Sequence, residues 1–147
     1  MKKILVVVWM VLFLATFVSV ERATAADRFV NNNNGTVTDT QTGLMWADHD
    51  NGSNINWFSA KSYCEGYSGG GKSGWRMPTV DELWNLYINK ANRSMITFTE
   101  QYVWASETRL TKFVTVAAYI DFRFGKVGEY SQSLNVGSRA LPVHSGK

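Results

Sequence analysis

The sequence is poor in the residues that staple, bend or arm a protein. In 147 residues there are one cysteine, Cys64, two prolines and two histidines, His49 and His144. A single cysteine excludes an intramolecular disulfide, so stability has to come from packing, and an unpaired thiol is expected inside as a small apolar side chain. Two histidines this far apart are too few for a zinc site, which takes three or four ligands. No serine stands in a G-x-S-x-G elbow, and neither histidine shows a locally evident base or orienting partner. Asp81 and Glu82 are paired carboxylates, but they stand at a helix start, where capping and the helix dipole explain them without acid–base chemistry. With no catalytic residue, cofactor or metal ligand set in evidence, the sequence favours a binding module over an enzyme.

Long apolar runs are also scarce, and the one present is informative. Lys2 and Lys3 precede an apolar stretch from Ile4 to Val20, and Ala23-Thr24-Ala25 supplies the small-x-small pattern of a signal peptidase site. Residues 1–25 are therefore expected to be a cleaved signal peptide, leaving residues 26–147 as one domain in the periplasm or outside the cell. An uncleaved anchor is the alternative, since a stretch of 17 residues lies at the lower edge of a membrane span.

Net charge is small once the leader is removed, about +1, which argues against nucleic acid as a partner. The distribution is uneven: residues 26–100 carry 6 basic and 8 acidic groups, and residues 101–147 carry 6 and 3. An anionic partner would thus meet the C-terminal third, where Arg109, Lys112, Arg123, Lys126 and Arg139 are the candidate contacts. A solvated strand face accounts for the same five residues.

What the sequence does have is aromatic material and clear local signals. Thr36–Asp39 and Leu44–Ala47 have strand composition around a reversal at Gly43, which predicts a hairpin, while Asn31 to Asn34 read as a loop. Asn56 can cap a helix in which Trp57, Ala60, Cys64 and Tyr67 share a face. Thr79-Val80-Asp81-Glu82 fits a capping box opening a second helix with Leu83, Leu86 and Tyr87 as its apolar stripe. Strands are expected over Tyr102–Ser106, Phe113–Phe124 (broken or bulged), Val127–Ser131 and Val136–Val143, with Gly125 in a turn. Helices followed by a run of strands indicate α+β.

Two segments imitate ligand sites. Gly66-Tyr67-Ser68-Gly69-Gly70-Gly71-Lys72-Ser73 matches the phosphate-loop pattern at every fixed position. The mechanism needs a strand before the loop and a helix after it, whereas here a helix precedes and Gly74 and Pro78 follow, so a plain glycine loop without nucleotide is expected. Asp48 to Asn54 collects oxygen ligands that calcium favours, but glycine occupies the fifth position and not the sixth, and a polar turn leading to a helix cap explains the same residues.

Several of these segments, in order, resemble the Lcl C-terminal domain family of bacterial exported proteins. They are Gly35–Asp39, Thr42–Trp46, Ala60–Cys64, Gly74–Thr79 with Glu82-Leu83, Tyr102–Ser106 and Asp121–Gly125. The resemblance spans about residues 29–143, and its most specific element is Trp75-Arg76-Met77-Pro78-Thr79. It implies a C-type-lectin-like fold, shared with the sulfatase-modifying enzymes, in which two helices pack on a twisted antiparallel sheet with long loops. The paired active-site cysteines of those enzymes, the glutamate-proline-asparagine or glutamine-proline-aspartate loop of calcium lectins and the disulfides of animal members are all missing. In the shared motif Trp75 is expected in the core. Arg76 is open between holding a carboxylate or backbone carbonyls and pointing into a ligand site.

The expectation is an exported, non-enzymatic recognition module for a carbohydrate, an anionic polymer or a protein surface. A structural subunit of a cell-envelope assembly and an enzyme of unfamiliar chemistry are the alternatives.

Overall fold

The computed structural model describes residues 28–90 and 95–147, so the expected signal peptide lies outside the described residues. In chain order the elements are β1 (Phe29–Asn31), β2 (Thr36–Asp39), β3 (Met45–Ala47), α1 (Trp57–Glu65), α2 (Val80–Ile88), β4 (Tyr102–Leu110), β5 (Thr115–Asp121), β6 (Lys126–Ser131), β7 (Ser138–Arg139) and β8 (Val143–His144). The class is α+β. Where one twisted antiparallel sheet was expected there are two sheets of four strands, ordered β1-β2-β3-β8 and β6-β5-β4-β7. The β4–β7 pair is parallel.

The local signals explain most of this order. β2 and β3 pair as the expected hairpin, with Val37 opposite Trp46, and Gly43 takes the positive φ of 75° that the reversal needs. Asn56 accepts a hydrogen bond from the Ser59 amide at 2.9 Å and opens α1, whose buried residues are Trp57, Ala60 and Cys64. Tyr67 falls beyond this helix. Thr79 and Glu82 form the full reciprocal capping box at the start of α2.

Three further expectations changed. Phe29–Asn31, whose last residue was placed in a loop, form β1 because Phe29 is buried against the core. The expected strand over Val136–Val143 is two short strands in different sheets, split by the buried Ala140, Leu141 and Pro142. The irregularity expected within Phe113–Phe124 lies instead in β4. There the register with β5 shifts between Trp104 and Thr108.

Period-two alternation gives the second sheet two faces. Trp104 and Ala117 pack with Trp57, Ala60 and Cys64 of α1. Val103, Ala105, Ala118 and Ile120 pack with Leu83 and Leu86 of α2 and with Val37 and Trp46 of the first sheet. The second sheet thus has core on both faces, whereas β6 along its length and the last four residues of β4 are largely exposed. Among the described residues no helix is long and apolar enough to cross a membrane.

Candidate functional site

Register separates the five candidate cations. Arg109 pairs with Val116 beside the β4–β5 hairpin tip, whereas Lys126 pairs with Asp121 at the far end of the same sheet. The two β5 partners are five residues apart, or ~17 Å at ~3.3 Å per residue. Arg109 and Lys112 thus belong to one end, Arg123 and Lys126 to the other. Arg139 belongs to neither surface: it is 6% exposed, and its guanidinium donates to Thr99 Oγ1 at 2.7 Å and to Asn54. Arg109 forms an exposed ion pair with Glu129.

The end carrying Arg123 and Lys126 is the richer site. The chain turns over residues 122–125, with the Gly125 amide donating to Asp121 O at 2.8 Å and Gly125 at a φ of 59°. Arg123 and Lys126 both lie over the exposed Phe124 ring, at 5.3 and 6.0 Å from its centroid. Neither forms an ion pair among the described residues. Arg123 donates to the neutral Gln101 side chain, and its amide is received by the buried Asp121 carboxylate at 2.8 Å.

α2 extends this surface. Tyr87 stands edge-on to Phe122 at 6.2 Å and stacks on Trp84 at 5.5 Å. Its ring lies against Gly125, where an added Cβ would come within 2.3 Å of it and where the positive φ of 59° already favours glycine. Trp84 and Ile88, one helical turn apart, are exposed beside it. On the other side of the turn, Phe98, Thr99, Glu100, Gln101, Phe122 and Arg123 line an open depression of about 440 Å³. Trp84 and Ile88 were not among the expected contacts. The signal was available, because both fall off the Leu83–Leu86–Tyr87 stripe, and a tryptophan outside an apolar stripe has no core to fill.

The shared motif around Trp75 is structural in its geometry. Trp75 is 2% exposed, held edge-on by Tyr67 at 4.8 Å and flanked by His144 at 5.4 Å. Arg76 grips both Glu82 oxygens, at 2.8 and 2.6 Å, and donates to the Met77 carbonyl at 3.0 Å. Burial alone would raise the Glu82 carboxyl, but Arg76 and the Thr79 amide outweigh it and hold it below its ordinary value. Glu107 adds a cap from β4, with both its oxygens receiving the Val80 amide at 2.9 and 3.0 Å. In this arrangement Arg76 is engaged by a carboxylate and a carbonyl.

Of the remaining reactive groups, His49 is exposed and its Nδ1 pairs with the neighbouring Asp48, a local partner not expected from the sequence, whereas the others are engaged in the fold. Cys64 is fully buried, and burial, with Glu65 nearby, pushes its thiol up to about 12. His144 contacts the Ser73 carbonyl through Nε2 at 3.0 Å and receives the Gly146 amide on Nδ1 at 2.9 Å, which describes the Nε2-protonated tautomer. Asp50, in the oxygen-rich loop, accepts from the Gly52 and Thr99 amides and the Thr99 hydroxyl at 2.6–2.7 Å. In the glycine loop, Gly69–Gly71 form one 3₁₀ turn after α1, and Lys72 continues in extended backbone, with no helix before Val80. Among the described residues no three His, Cys, Asp or Glu side chains cluster as metal ligands would.

Two helices, two small sheets and an aromatic, cationic surface at a loop end define a small α+β domain whose polar chemistry is mostly used in holding its own loops. The chain belongs to the Lcl C-terminal domain family, whose model matches residues 35–142. The matched span takes in both helices and every strand from β2 to β7. No curated protein matches the chain.

Proposed function

We propose that this chain is an exported, non-enzymatic recognition module of C-type-lectin-like architecture, and that it binds an anionic carbohydrate polymer at the β5–β6 end of its second sheet. The observation that carries this reading is the grouping of Arg123 and Lys126 around the Phe124 ring, beside the Tyr87–Trp84 stack. Exposed aromatic faces suit the apolar faces of sugar rings, and unpaired cations suit sulfate or carboxylate groups along a chain. Binding is favoured over catalysis because the thiol and the buried imidazole are engaged in the fold, while the exposed groups at the β5–β6 end are of the kind that hold a ligand.

The test is titration with a sulfated polysaccharide. Replacing Arg123 and Lys126 together by alanine is expected to weaken binding by about tenfold or more, since two charge-assisted contacts are lost. Raising salt from 0.05 to 0.5 M in the titration should weaken native binding through screening. Salt-independent binding that survives the double replacement would contradict the proposal.

A further inference from the structure

The opposite end of the second sheet has a different character. Beyond the bulge, β4 leaves the body of the molecule, and Glu107 to Leu110 are exposed. At the hairpin tip Phe113 is 84% exposed, Leu110 78% and Val114 46%. Single exposed apolar residues are ordinary on a protein surface, but three large ones on one protruding turn are not.

The tip is built to hold this form. The Thr111 amide and hydroxyl both donate to the Val114 carbonyl, at 2.9 and 2.6 Å. The Thr111 oxygen receives the Phe113 and Val114 amides at 3.3 and 3.1 Å. Three amides of the turn are thus satisfied internally, which is what a segment leaving water requires. The base of the hairpin is tied down as well. Trp57 Nε1 donates to the Ala105 carbonyl at 2.8 Å, the Ser106 amide donates to the Pro78 carbonyl at 2.8 Å, and Glu107 caps α2.

Charge and size select the occupant. Residues 108–115 contain Arg109 and Lys112 and no acid. The neighbouring acids are occupied, Glu107 by the α2 amide and Glu129 by Arg109, so Lys112 is left as the unneutralised charge of the tip. Three side chains of this size offer a few hundred Å² at most, well short of the ~800 Å² per partner that a stable protein interface buries. A lipid interface needs no such area, because binding there scales with the few side chains that enter it plus attraction to anionic headgroups.

We propose that the β4–β5 hairpin tip is a membrane-contact element, with Leu110, Phe113 and Val114 entering the interface of an anionic phospholipid bilayer and Lys112 meeting headgroup phosphates. This site is independent of the polymer surface at the other end of the sheet. A protein carrying both would hold a polymer against a membrane.

A polarity-sensitive fluorophore attached at Phe113→Cys tests this, since the native Cys64 is fully buried and leaves the new thiol as the reactive one. With vesicles of phosphatidylglycerol and phosphatidylcholine, emission from this label should shift to the blue. The same label at Phe124→Cys should not shift, and vesicles of phosphatidylcholine alone should give a weaker response at position 113. Adding Leu110→Ser should raise the lipid concentration at half-shift by about tenfold, and Lys112→Glu should remove the preference for anionic lipid. Unchanged emission at position 113 with anionic vesicles, or an equal shift at position 124, would overturn the proposal. Because the label reads the tip itself, failure here is separate from failure of polymer binding.

Discussion

Cys64 shows how far one residue can be read from sequence. Its recurrence with Trp57 and Ala60 placed it on the inner face of α1, and there it is, with Met77, Trp104 and Ala117 around it. A thiol in that setting ionises only near pH 12, so it stays neutral and inaccessible at ordinary pH. Native Cys64 should therefore resist iodoacetamide until the protein unfolds, and labelling in native buffer at the rate seen in urea would contradict its placement. The same shift has a consequence for stability. The unfolded thiol ionises near 9 and the folded one near 12, so this group's contribution is intact below pH 9 and is lost as pH rises between those values. Cys64→Ala should flatten that alkaline limb in urea denaturation. Arg139 shows the opposite case: its charge was legible but its burial was not, because its partners Thr99 and Asn54 lie 40 and 85 residues away in sequence.

At the scale of elements, legibility follows the range of the interactions. Both helix starts were readable because caps are local: Asn56 reaches Ser59, and Thr79 and Glu82 serve each other within one turn. The second cap on α2, from Glu107, was not readable, since 27 residues and the β4 bulge bring it there. Thr79→Ala should lower stability by about 1 kcal/mol in chemical denaturation, the ordinary cost of losing an N-cap oxygen. Glu107 and the Arg76–Glu82 pair remain to hold the helix start. An unchanged midpoint would mean that Glu107 alone satisfies the first turn. Strand limits were less legible where pairing decides them. Phe29–Asn31 carries too short an apolar signal to stand out, and becomes a strand because β2 supplies its partner, Phe29 facing Asp39 and Asn31 facing Val37.

For the molecule as a whole, class and family were legible and the division into two sheets was not. Residues 136–143 look like one strand in composition, yet β7 joins β4 in one sheet and β8 joins β3 in the other. Only tertiary packing tells the chain where to change sheets. The candidate surface was half legible for the same reason. The cations were visible as an excess after residue 100, but their separation to opposite ends of a sheet, and the company of Trp84 and Tyr87 from α2, depend on register and helix docking. The most direct test of the account is a backbone NMR titration with a sulfated oligosaccharide. The account predicts shifts confined to residues 84–88 and 122–127, with residues 109–114 unmoved; shifts centred on residues 66–73 or 48–54, or on the hairpin tip, would contradict it.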